Sequence, residues 1–162
     1  MKKQLPILLA ILWSGMAGLH AEEAACSATN ATIILARNAE YLQKAQHAAT
    51  TCKSVQLHVE DYEENEDYRV ELTKGELGEL RGLIARLQPC QTDTEVDIDP
   101  SRYIMLCFID ADGKCIFELD EIDVAEMETP PPANGYPLAH FVLTKADYAQ
   151  WRRLISRIEK RN

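Results

Sequence analysis

RVELTKGELGELRGLIARLQ at residues 69–88 and HFVLTKADYAQWRRLISRIE at residues 140–159 carry one pattern twice, 71 positions apart. Superposed without a gap they are identical at seven of twenty positions: Leu72/Leu143, Thr73/Thr144, Lys74/Lys145, Arg81/Arg152, Leu83/Leu154, Ile84/Ile155 and Arg86/Arg157. In each copy a short apolar strand ends at Leu, and Thr follows as a helix cap with an acid three residues on, Glu76 or Asp147, reaching back to it. An apolar row then recurs at helical spacing: Leu77, Leu80, Ile84 and Leu87 in one copy, Tyr148, Trp151, Ile155 and Ile158 in the other. Capped amphipathic helices are common grammar. The shared arginines go beyond it and favour an internally duplicated strand-helix unit.

Working outward, residues 27–49 read as an N-terminal helix with Ile34, Leu35, Tyr41, Leu42, Ala45, Ala48 and Ala49 on one side. Val55, Leu57 and Val59 alternate with polar residues, as do Tyr68, Val70 and Leu72, which predicts a hairpin. Its connection holds Glu60, Asp61, Glu63, Glu64, Glu66 and Asp67, six acids in eight positions. YIMLCFI at 103–109 is apolar throughout, as a central strand requires. Asp110 to Gly113 (DADG) fits a tight hairpin turn leading into a return strand from Cys115. Residues 140–143 make the final strand. The expected fold is a two-layer α+β domain, an antiparallel sheet of about five strands with helices packed on one face. Gly75, Gly78 and Gly82 in the first repeated helix allow two readings, close helix packing or an exposed face, and Pro89 is expected to stop that helix.

The 162-residue chain starts with a leader-like segment: Lys2 and Lys3, an apolar run from Leu5 to Trp13, then small residues. Residues 1–21 are expected to be a signal peptide, cleaved after Ala17 or Ala21, leaving 22–162 as one domain. The expected address is outside the cytoplasm, periplasmic or extracellular. The apolar run is too short to span a membrane. All five cysteines follow this leader, so disulfides are expected, with Cys52, Cys90, Cys107 and Cys115 as candidates and Cys90 as the better partner for Cys107 or Cys115. Without a C-x-x-C, thioredoxin-type chemistry and ribbon-type zinc sites are disfavoured.

From Glu60 to Glu128 there are 21 acids against 6 bases, and from Thr129 onward 2 acids against 6 bases. Loss of Lys2 and Lys3 with the leader would take the formal net charge from −9 to −11. Such a chain is repelled by nucleic acid and attracted to cations and basic proteins. The leading functional expectation is therefore a non-enzymatic module that binds a basic protein through Glu60, Asp61, Glu63, Glu64, Glu66 and Asp67. Inhibition of a basic wall hydrolase is one concrete form. The alternative is a cation-binding module using Asp93, Glu95, Asp97 and Asp99, which an extended segment would line up on one side. A hydrolase is least favoured. No G-x-S-x-G, phosphate loop or H-E-x-x-H occurs, and Cys52 with His58 or His140 is the only nucleophile and base pairing to consider. No cofactor is implied.

Overall fold

A computed structural model describes residues 30–90, 102–127 and 140–161. The leader, Cys26, the run Asp93, Glu95, Asp97 and Asp99, and the proline-rich stretch 130–132 lie outside the described residues.

Helix α1 covers 30–51 and buries Leu42, Ala45, Ala48 and Ala49 on the anticipated face. Its last carbonyls have no partners within the helix, a deficit every helix end must meet. Arg81 supplies them: its Nε donates to the Ala49 carbonyl at 2.6 Å and its Nη2 to the Cys52 carbonyl at 3.2 Å. Strands β1 (Ser54–Asp61) and β2 (Glu66–Glu71) form an antiparallel hairpin. Helix α2 (Lys74–Ile84) follows with the capping box expected of Thr73 and Glu76. The helix ends before Pro89, which instead sits in a two-residue strand, β3 (Gln88–Pro89). A short edge strand tolerates the missing N–H. Strand β4 (Arg102–Ile109) lies between β1 and β5 (Cys115–Asp120), as its unbroken apolar run requires. A 3₁₀ turn (Glu121–Asp123) leads to β6 (Val124–Glu126), and β7 (Phe141–Leu143) precedes helix α3 (Lys145–Glu159), capped by Thr144.

The result is an α+β fold with two separate sheets and three helices among the described residues, which corrects the single five-stranded sheet. The larger sheet is fully antiparallel, ordered β2-β1-β4-β5, and the smaller is ordered β3-β7-β6, with β6 parallel to β7. The division follows from the 3₁₀ turn, which takes the chain off the end of β5 before β6 begins. β7 then adds to β6 and β3, where all three of its residues are buried, rather than to an edge of the larger sheet. Val55, Leu57, Val59, Leu106, Phe108 and Leu119 project from one face of the larger sheet into a core shared with Leu80, Leu83, Ile84, Trp151, Leu154 and Ile155 of the helices. Full burial of such side chains contributes about 1.5–3 kcal/mol each.

The two repeated helices meet through reciprocal contacts. Arg86 of one unit donates to Asp147 of the other at 2.9 Å, and the equivalent Arg157 pairs with Glu76 at 3.8 Å. Arg86 also reaches Gln150 while Arg157 reaches Glu79, and Gln150 donates to Glu79 at 3.1 Å, so the equivalent positions 79 and 150 touch each other. The strands do not share this relation: β2 is an edge of the larger sheet and β7 the centre of the smaller.

Candidate metal centre

Asp110 builds the β4–β5 turn as its sequence indicates. Its side-chain Oδ1 accepts the N–H groups of Asp112 and Lys114, each at 2.9 Å, and Gly113 takes the left-handed conformation at φ 81°. Just above the turn the register slips: Phe108 faces Phe117 and Ile109 faces Cys115, leaving Ile116 as an extra residue. A single inserted residue reverses which way the following side chain points. Cys115 is thereby carried onto the face of β4 opposite Leu106 and Phe108, where Cys107 lies, and Glu118 directly faces Cys107 across the ladder.

The Sγ atoms of Cys107 and Cys115 and a carboxylate oxygen of Glu118 all lie within 4.8 Å of one another. Cys107 is buried, Cys115 half-buried and Glu118 exposed, so the cluster has a closed side and an open one. The Cys115 thiol donates to the Phe117 carbonyl at 3.4 Å and to Glu118 Oε1 at 3.7 Å. Burial, followed by the neighbouring Cys115 and Glu118, pushes the Cys107 thiol up to about 11, while Arg69 acts in the opposite direction. A cation placed among these three groups would favour the Cys107 thiolate against both its burial and the neighbouring Cys115 and Glu118.

The expected disulfides are not present among the described cysteines. Cys107 and Cys115 are 4.4 Å apart, whereas a disulfide brings sulfurs to about 2.05 Å. Cys52 is a buried free thiol at the end of α1. Cys90 packs with Val142, Ala125 and Met127 in a separate small cluster, away from the face that holds Cys107 and Cys115, so its anticipated link to either is replaced. Regular pairing from Ile109 and Cys115 onward would set Cys107 against Phe117, and nothing local announces the slip at Ile116 that sets Glu118 there instead. Glu118 was missed for the same reason.

The acidic connection is shorter than its sequence suggests. Glu60, Asp61, Glu66 and Asp67 belong to the β1–β2 ladder, where Glu60 faces Asp67 and Asp61 faces Glu66. Like charges opposite one another destabilise a hairpin. Here His58 lies 2.8 Å from Asp67 and 3.4 Å from Glu60, and Arg102 lies 3.5 Å from Asp61. Glu63, Glu64 and Glu66 stay exposed. His140 is bonded to Asp123, and the Cys52 thiol donates to the Ala49 carbonyl beside Arg81, so neither imidazole is bonded to that thiol.

Comparison with protein-family models, curated proteins and solved structures found no match for this chain. No helix among the described residues is long and apolar enough to cross a membrane.

Proposed function

We propose that the protein is a metal-binding module that holds a thiophilic ion, Zn²⁺ or Cu⁺, between Cys107, Cys115 and Glu118. The convergence of two thiols and a carboxylate on one sheet face carries this reading. It favours the cation-binding alternative over protein docking, but at residues other than Asp93, Glu95, Asp97 and Asp99. Thiolates select borderline and soft ions, and one carboxylate with two sulfurs suits zinc. Tetrahedral zinc with bonds of about 2.3 Å sets its sulfurs about 3.8 Å apart, a small closure from the separation here. Three protein ligands leave a fourth position for water or an incoming ligand, which suits exchange of the ion. This is a binding role without catalytic chemistry.

Cobalt substitution of the purified, reduced protein tests it. A near-ultraviolet thiolate-to-cobalt band should appear, vanish in Cys107→Ser and Cys115→Ser, and be displaced by stoichiometric Zn²⁺. Metal affinity should fall about tenfold per pH unit below 11 for the proton that Cys107 must release. Equal metal affinity in wild type and both serine variants would refute the site.

A second reading keeps a basic protein as partner, because Glu63, Glu64 and Glu66 are exposed together around the hairpin tip. Affinity unchanged between low and high salt would sink it. Export to the periplasm or medium belongs to the proposal as well, on the strength of the leader, and is checked by cell fractionation. The reciprocal contacts of α2 and α3 support the two strand-helix units being a duplication, despite their different sheet neighbours.

A further inference from the structure

If Cys107 and Cys115 hold an ion, as proposed above, the distance between their sulfurs decides which one. Cys107 sits on β4, between β1 and β5, and is 4% exposed. Cys115 is pinned at the turn end of β5: its backbone pairs with Ile109, and its thiol points to the Phe117 carbonyl at 3.4 Å. The ladder and the turn thus set both sulfurs in place, 4.4 Å apart. An ion midway between them stands about 2.2 Å from each and in line with both. That is already the length of a metal–thiolate bond. Zinc takes about 2.3 Å, and the lower coordination number of Cu⁺ shortens the bond slightly.

Zinc asks more of the site. Tetrahedral geometry needs the sulfurs at about 3.8 Å, so the pair has to close, and two further ligands have to be found. Among the described residues only Glu118 completes a cluster with the two thiols. The imidazoles are engaged elsewhere: His58 lies 2.8 Å from Asp67 and His140 2.6 Å from Asp123. Across the ladders Cys107 faces Gln56 on one side and Glu118 on the other, so the fourth zinc ligand falls to water or a neutral amide. Cu⁺ has a filled d shell and is satisfied by two thiolates in a line, and a hard carboxylate oxygen adds little to it.

We infer that the site selects Cu⁺, held in a line between Cys107 and Cys115 alone, with Glu118 outside the coordination shell. Glu118 is exposed, so its carboxylate stays hydrated when left uncoordinated and carries no penalty of an unpaired buried charge. Zn²⁺ and Co²⁺ use the same two sulfurs but take Glu118 as a third ligand, after the sulfurs have moved together. The carboxylate therefore separates two classes of ion at one pair of thiols: it matters to the borderline ions and not to the soft one.

The test compares the two ions on purified, reduced protein under nitrogen: Cu⁺ in competition with a cuprous chelator, and Co²⁺ by direct titration. Glu118→Gln, an exposed change that spares the core, should lower Co²⁺ affinity about 10- to 100-fold and leave Cu⁺ affinity within about threefold of wild type. X-ray absorption of the copper-loaded protein should show two sulfur neighbours at about 2.2 Å and no oxygen. The inference is overturned if Glu118→Gln weakens both ions alike, if copper has an oxygen neighbour, or if equimolar Zn²⁺ displaces Cu⁺. Cys107→Ser and Cys115→Ser distinguish this failure from that of the site itself. Should both ions bind these variants as well as wild type, the metal-binding reading falls with it; should both depend on the two cysteines, only the choice of ion is struck.

Discussion

Replacing Arg81 with Met keeps most of its length and removes the guanidinium that closes the end of α1. Two carbonyls, Ala49 and Cys52, then lose a charged donor, at present 2.6 and 3.2 Å away. Both residues are buried, so water does not simply take its place. A hydrogen bond from a charged donor contributes about 1.5–3 kcal/mol and an orphaned buried carbonyl costs about 1–3 kcal/mol. Allowing for partial rearrangement, the loss should be about 2–4 kcal/mol. Arg86→Met is the internal control: it lies just past the end of the same helix, but its bond to Asp147 joins side chains 45% and 22% exposed, so its loss should stay below about 1 kcal/mol. Urea unfolding at pH 7 separates them, and thermal midpoints should drop by about 6–12 °C and about 3 °C at most. Arg81→Lys should fall between wild type and Met, since it keeps the charge and loses the fork. Costs for Arg81→Met and Arg86→Met within about 0.5 kcal/mol of each other would show that the carbonyls are not held as described.

Gly78 is exposed within α2, and a methyl group there would meet nothing within 4 Å. Gly78→Ala should therefore stabilise the protein by about 1 kcal/mol in chemical denaturation, and a destabilised variant would mean that something covers that face. Asp120 is raised to about 6 from an ordinary 3.8, so the folded state takes up a proton that the unfolded state does not. Its contribution is most favourable below the unfolded value and is lost as pH rises through 6. Asp120→Asn should accordingly be more stable than wild type at pH 7, with the gap closing toward pH 4, and a gap independent of pH would contradict the burial argument.

What was legible in the sequence was local. Thr73 with Glu76, and Thr144 with Asp147, declare helix starts because the donor and acceptor lie three residues apart. Asp110 and Gly113 declare a turn for the same reason. The partition into two sheets depends on where β6 and β7, three residues each, find partners, and no local pattern encodes that choice. The thiol pair was legible, because pairing Ile109 with Cys115 across the turn already sets Cys107 and Cys115 on one face, while the slip at Ile116 that brings Glu118 opposite Cys107 is a tertiary adjustment. The Asp123–His140 bond joins residues 17 apart and became visible only when β7 came to lie beside β6. The glycines left two readings balanced, and open space around Gly75 and Gly78 decides for the exposed one.

The contacts between α2 and α3 have the form of an interface in which each side offers the other what it receives. Between separate molecules such a surface is half-empty at low concentration, and its occupancy follows mass action. Here both halves are tethered, so the effective concentration is fixed by the chain and dilution does not open it. Tethering also lifts a restriction that identical partners cannot escape. On a twofold axis a side chain must face its own copy, glutamate against glutamate, whereas positions 79 and 150 hold a carboxylate and an amide, and the amide of Gln150 gives Glu79 a hydrogen instead of a second negative charge.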